Sequence, residues 1–221
     1  MIVLNLKTYQ ESIEKTMQFV EIAEEVAIKT KVRIIVCPPV TSLANAAWHY
    51  AGFRCSETYA QHVDHTGLGA HTGSIPAEAL KYLKVKGSLV NHSEKRIGME
   101  NIAKTIESLH KNGLESLVCA ESPKEAETIA KLNPKYIAIE PPELIGSGIS
   151  VSNAKPEVVT NTVKLIEKAN PKVIVLCGAG VSNKEDTKKA LQLGAKGVLL
   201  ASAFVKAKNP KKFLEELVSV F

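Results

Sequence analysis

The sequence predicts an α/β fold, a closed (β/α)8 TIM-type barrel built as a single domain over residues 1–221. Three observations predict it. Short β-branched runs alternate with stretches of helical spacing from one end of the chain to the other. The alternation occurs eight times, at about 28 residues per unit. No linker, composition shift or low-complexity tract interrupts it. A doubly wound open sheet is the competing architecture. It usually has fewer strands and, where it binds a dinucleotide, a glycine-rich turn after the first. Here Asn5-Leu6-Lys7-Thr8 stands in that place.

The expected strands are Ile2–Leu6, Val32–Cys37, Arg54–Ala60, Ser88–Asn91, Ser116–Ala120, Tyr136–Ile139, Val173–Cys177 and Gly197–Leu200. Several are continuously apolar, as strands covered on both faces should be. After the first strand, Ile13, Met17, Val20, Ala23 and Val26 share one helical face. After the fourth, Ile102, Ile106, Leu109 and Leu114 do the same, and after the sixth, Val158, Val159, Val163 and Ile166. Ser122-Pro123 places a cap before a first-turn proline, and Ala154-Lys155-Pro156-Glu157 opens the sixth helix. Ser182 to Glu185 has capping-box spacing, and Asn112-Gly113 and Leu193-Gly194 are stop signals.

Composition narrows the function. The chain is 45% hydrophobic and 23% charged, which is ordinary for a globular protein. No apolar run reaches the roughly 18–20 residues that span a bilayer. MIVLNLKTYQES has neither a basic leader nor a small-residue cleavage site, so a cytoplasmic protein is expected. The net charge of +5 is mild, and the lysines are interleaved with glutamates. With aromatics at 5% and no basic stripe, nucleic acid is not expected as a partner, although a small anion is. Cys37, Cys55, Cys119 and Cys177 form no CxxC pair and read as reduced thiols.

In a barrel the chemistry belongs at the C-terminal ends of the strands. Those ends carry Asn5 and Lys7, then Asn91-His92-Ser93-Glu94, Cys119 and Glu121, Glu140, Gly178-Ala179-Gly180, and Ala201-Ser202. An amine, an imidazole and a carboxylate thus share one rim with two small-residue turns whose N–H groups suit a phosphate. Such a set can abstract a proton beside a carbonyl: the carboxylate takes it, the imidazole polarises the carbonyl and the amine balances charge. Taken singly, Glu140 reads as a solvated loop carboxylate, Lys7 as a surface lysine, His92 as a hydrogen-bonded structural histidine and the Gly-Ala-Gly turn as a tight connection. Their agreement in position carries the reading.

The same segments resemble those of the triosephosphate isomerase family in its compact archaeal form. The resemblance runs through Asn5-x-Lys7, Gln61, Gly69-Ala70-His71-Thr72-Gly73, Asn91-His92-Ser93-Glu94-Lys95-Arg96, Cys119, Glu140 to Gly148, Cys177-Gly178-Ala179-Gly180 and Leu199-Leu200-Ala201-Ser202, and so covers the chain in order. It implies interconversion of glyceraldehyde 3-phosphate and dihydroxyacetone phosphate through an enediolate, in glycolysis and gluconeogenesis. Glu140 would shuttle the proton and His92 would hydrogen-bond the substrate oxygens as a neutral ring, kept so by a short helix beginning at Ser93. Lys7 would offset charge, and Asn5 would orient substrate. Glu94 and Cys119 would support these groups. Gly146, Gly180, Ala201 and Ser202 would hold the phosphate, and Ile145 would cover the base. Pro141-Pro142 and Gly146-Ser147-Gly148 would be the hinges of a closing segment. No cofactor or metal is implied.

Two departures stand out: Gly180 replaces a frequent serine, and Ala201-Ser202 replace a frequent glycine pair. The irregular spacing of His62, Asp64, His65 and His71 does not suggest a metal site. The resemblance instead makes residues 61–75 a loop that enters a neighbouring subunit, with Thr72 reaching across and His71 and Gly73 beside it, in a homodimer or homotetramer. Two other readings of the residues stay open: a Schiff-base aldolase using Lys7, and a non-catalytic barrel that binds a phosphometabolite.

Overall fold

The computed structural model describes residues 1–50, 56–141, 144 and 150–221, with the backbone alone for Tyr50 and Val151. Its parallel strands are β1 (Ile2–Asn5), β2 (Ile34–Cys37), β3 (Ser56–Ala60), β4 (Gly87–Val90), β5 (Glu115–Ala120), β6 (Tyr136–Ile139), β7 (Ile174–Cys177) and β8 (Val198–Leu200). Each pairs with the next, and β8 pairs back onto β1 with Leu200 opposite Leu4. The sheet is therefore the closed barrel expected. Strand ends shift slightly from their predicted places. Asn91 leaves β4 because its φ of 59° is left-handed. Arg54 and Cys55, expected to open the third strand, lie outside the described residues.

The apolar runs are continuous because both strand faces are buried. In β1, Val3 points inward to Ile35, Leu89, Leu117, Leu176 and Leu199. Its neighbours Ile2 and Leu4 point outward, against Phe19, Val20 and Leu214 of the surrounding helices. Each such side chain contributes about 1.5–3 kcal/mol by leaving water.

The helices are α1 (Gln10–Thr30), α2 (Val40–Tyr50), α3 (Ala77–Tyr82), α4 (Gly98–Lys111), α5 (Pro123–Ala130), α6 (Val151–Ala154), α7 (Pro156–Ala169), α8 (Lys184–Gln192), α9 (Ser202–Val205) and α10 (Pro210–Val218). Single turns α6 and α9 precede the longer helices that cover β6 and β8. Val20, Ala23 and Val26 are buried as predicted, but Ile13 is half exposed. The backbone leaves helical geometry at Lys15 (φ −121°, ψ 16°), and the turn before it buries Ser12, whose hydroxyl donates to the Leu6 carbonyl, in place of Ile13. Ser122 caps α5, accepting the Glu125 N–H at 3.2 Å ahead of Pro123. In α8 the cap is Asn183 and not Ser182, so the helix starts one residue later than its spacing predicts.

The floor of the barrel is a closed polar network. Arg33 Nε lies 2.9 Å from Glu57 Oε2, and Arg33 Nη2 lies 2.7 Å from Glu115 Oε2. Tyr59 donates to Glu115, and Arg33 donates to the Tyr136 hydroxyl. Burial works against the Arg33 charge, but the bonds to Glu57 and Glu115 outweigh it and raise its pKa. Burial pushes Tyr136 up to about 12.

Candidate active site

The opposite end of the barrel is built from the residues just past each strand. β1 stops at Asn5, and Lys7 then takes a left-handed φ of 51°, an uncommon conformation for a non-glycine residue. Two side chains hold it. Asn5 Oδ1 accepts the Lys7 N–H at 3.0 Å, and Gln61 Nε2 donates to the Lys7 carbonyl at 3.0 Å and to that of Cys37 at 2.9 Å. The ammonium so placed lies 2.6 Å from Glu94 Oε1.

Asn91 organises the loop after β4. Its Oδ1 accepts the Ile97 N–H and its Nδ2 donates to the Cys119 carbonyl, both at 3.1 Å. Residues 92–97 thereby wrap around the imidazole as a loop. The helix expected at Ser93 is absent; α4 starts at Gly98. A turn stands in its place, with the Lys95 N–H on the His92 carbonyl at 2.7 Å. The Glu94 N–H donates to His92 Nδ1 at 3.2 Å. An accepting Nδ1 carries no proton, so the ring is the neutral tautomer with its N–H on Nε2.

Nε2 faces Glu140 Oε1 at 3.8 Å. Glu140 follows β6 and still pairs with the sheet, donating its N–H to the Ala120 carbonyl at 2.8 Å. It is 2% exposed, and among the described residues Oε2 has no hydrogen-bond partner. Burial raises its pKa, against the opposing bond with the Cys119 thiol and the charges of Lys7 and Arg96. Cys119 is itself pushed well up, first by burial and then by the Glu140 charge. Gly178 makes room: a Cβ there would lie 2.6 Å from Glu140 Cγ and 3.0 Å from Oε1. A desolvated carboxyl with one oxygen left without a partner among the described residues, facing an imidazole N–H, is suited to moving a proton on a small carbon acid.

Lys7, His92 and Glu140 share one cleft with Gly180, Ala201 and Ser202, so most of the expected site comes together. Among the described residues, the N–H groups of Gly180, Ala201 and Ser202 take no acceptor. Ser182 does not supply the hydroxyl missing at Gly180, because its Oγ is held by Asp186 Oδ2 at 2.9 Å. Asn5 and Glu94 line a second, larger cleft of about 290 Å³ that also reaches Lys7 and His92. Ile145, Gly146, Ser147 and Gly148 lie outside the described residues, as does Pro142 of the expected hinge. Cys119 lies beneath the site in the barrel interior.

His71, Thr72 and Gly73 are exposed and line neither cleft of their own chain. Their loop is pinned by Asp64, which accepts the Ile75 N–H at 2.8 Å and lies 3.1 Å from His62. Burial lowers the His62 pKa. Among the described residues no group of three or more His, Cys, Asp or Glu side chains is placed to hold a metal.

A family model described as triosephosphate isomerase matches residues 1–219. The chain belongs to the triosephosphate isomerase family. It is 47% identical to the triosephosphate isomerase of Methanothermus fervidus, over 99% of this chain and 97% of that one. It is 46% identical to that of Methanocaldococcus jannaschii, over 99% and 98%. It is 44% identical to that of Archaeoglobus fulgidus, over 99% and 97%. Asn91, Gln61 and Gly178 are the contributors that motif reading left without a role. Each acts through backbone groups or close approach, which its place at a strand end and within the family's motifs does not reveal.

Proposed function

We infer that the rim interconverts D-glyceraldehyde 3-phosphate and dihydroxyacetone phosphate. The observation that carries the reading is the Glu140 carboxyl, buried and without a partner at Oε2 among the described residues, set 3.8 Å from the Nε2 of His92 in a chain of this family. Glu140 takes a proton from one substrate carbon and returns it to the next. His92 donates its Nε2–H to the oxygens of the enediolate between them, a charge that fixed donors stabilise without reorganisation. Lys7, held by Glu94, offsets that negative charge, and Asn5 orients the substrate through its hold on Lys7. Gly180, Ala201 and Ser202 offer free N–H groups to the phosphate, a geometry common at this point of such barrels. By resemblance, Gly146 adds a further phosphate contact and Ile145 covers the base. Cys119 supports the carboxyl from below. The proton is carried by side chains throughout, so the reaction has no step for a metal or cofactor.

The same family reading makes the chain one domain, a cytoplasmic enzyme of glycolysis and gluconeogenesis. It is a homodimer, or a homotetramer of paired dimers, in which Thr72, with His71 and Gly73, enters the partner's site. Two observations support these points: the exposure of Thr72, and the absence among the described residues of any helix long and apolar enough to cross a membrane. A coupled assay of the purified protein with glyceraldehyde 3-phosphate tests the activity. Borohydride treatment with substrate separates it from an aldolase: a trapped adduct on Lys7 would sink the isomerase reading. The Lys7 ammonium engages Glu94, whereas a Schiff-base amine needs an apolar enclosure.

A further inference from the structure

Asp186 makes more hydrogen bonds near the rim than any group assigned to the reaction, and none of the steps above uses it. It sits in the first turn of α8 and is buried. Its Oδ2 accepts both the N–H and the hydroxyl of Ser182, each at 2.9 Å. Its Oδ1 accepts the Asn153 side-chain amide at 2.6 Å. Its carbonyl accepts the Ser152 hydroxyl at 3.2 Å, and Ser152 shares a 2.7 Å bond with Ser150. One residue thus joins α6, on the stretch that follows β6, to the turn that follows β7.

Capping α8 does not explain this. Asn183 already caps the helix by accepting the Asp186 N–H at 2.8 Å. A capping-box carboxylate would return to the N–H of the cap residue itself. Asp186 reaches one residue further back and spends its other oxygen on a different strand–helix unit. All its side-chain partners are donors, so only an acceptor-only group satisfies them. Saturation by donors also matters for charge, since a bare carboxylate this close to a phosphate cleft would repel the ligand.

We propose that Asp186 is a positioning residue for the phosphate end of the substrate. By holding Ser182 against Asn153, it fixes the turn that starts at Gly180, so that the free Gly180 N–H keeps its aim at the anion shared with Ala201 and Ser202. It touches no substrate atom. The inference rests on the isomerase reading above and adds to it the element that registers one phosphate turn against the rest of the rim.

Asp186→Asn tests it, because the amide keeps the shape and sets an NH2 against a donor. The KM for glyceraldehyde 3-phosphate and the inhibition constant of inorganic phosphate should both rise about tenfold, with kcat changed less than about twofold. Turnover of glyceraldehyde, which has no phosphate, should change far less than turnover of its phosphate ester. Ser182→Ala and Asn153→Ala each remove one arm and should give smaller shifts in the same direction, which keeps the test open if Asp186→Asn does not fold. Proportional losses on glyceraldehyde and its phosphate ester would overturn the inference, as would a lowered Tm with the phosphate inhibition constant unmoved. A wild-type protein that does not turn over glyceraldehyde 3-phosphate would overturn the isomerase reading instead.

Discussion

The two ends of this barrel handle buried charge in opposite ways. At the floor, Arg33 reaches Glu57 and Glu115 on different strands, and Tyr59 and Tyr136 complete the set. At the rim, Glu140 is more deeply buried than any of those carboxylates, yet among the described residues its Oε2 has no partner. Left-handed backbone occurs at both ends, at Lys7 and Asn91 on the rim and at Lys31, Lys84 and Asn133 in the turns that lead into β2, β4 and β6, so the contrast lies in the side chains. The floor is built to be stable, and the rim holds its groups in states that cost stability and serve reaction.

Changes at the two ends should therefore break different properties. The largest effect is expected for Glu140→Asp, which retracts the base by one methylene. Steady-state kinetics should show kcat lower by about three orders of magnitude with KM little altered. Unchanged turnover would remove Glu140 as the base. Gly178→Ala puts a Cβ into the space of Glu140 Cγ and should lower kcat by about tenfold to a hundredfold, with a near-normal circular dichroism spectrum.

At the floor, Arg33→Met strands two carboxylates. Partial exposure of the group discounts the cost to about 2–3 kcal/mol, seen as a Tm lower by roughly 5–10 °C. Activity per folded molecule should hold. If kcat falls as far as stability does, the two ends are not separable in this way.

The smallest effect is one of pH. Burial raises the folded-state pKa of Glu140 above its ordinary 4.5, so the folded protein holds that proton at pH values where the unfolded chain has released it. The carboxyl costs nothing below the unfolded value and destabilises increasingly as pH rises through the folded one. Glu140→Gln should accordingly match the parent's Tm near pH 4 and exceed it at pH 8. Equal Tm values at both would mean that the carboxylate is not destabilising.

Much of this was legible in the sequence. Parallel strands covered on both faces leave unbroken β-branched runs, so all the strands could be placed. Glu140, His92 and Lys7 could be placed on one rim because each stands at the C-terminal end of a predicted strand, and their agreement in position marked them where none did alone. What was not legible acts through the backbone. The double grip of Gln61 on Lys7 and Cys37, the Asn91 loop and the Glu94 N–H on His92 depend on where carbonyls and amides point, which side-chain patterns do not encode. The kink at Lys15 and the one-residue offset of the α8 cap have the same origin. Gly178 read as a turn residue, and only the approach of Glu140 shows why a side chain is excluded there.

The closure of the barrel also bears on how the chain is made. β1 spans Ile2–Asn5, and one of its two partners, β8, spans Val198–Leu200. During synthesis the first strand has to wait for nearly the whole polypeptide before that edge is paired. Until then both the leading strand and the growing end of the sheet present open hydrogen-bonding edges, which invite association with other nascent chains. Contacts so distant in sequence also slow folding. The last step of assembly should be the docking of β8 with the final helices, and truncations short of Leu200 should be recovered as aggregates and not as smaller folded proteins.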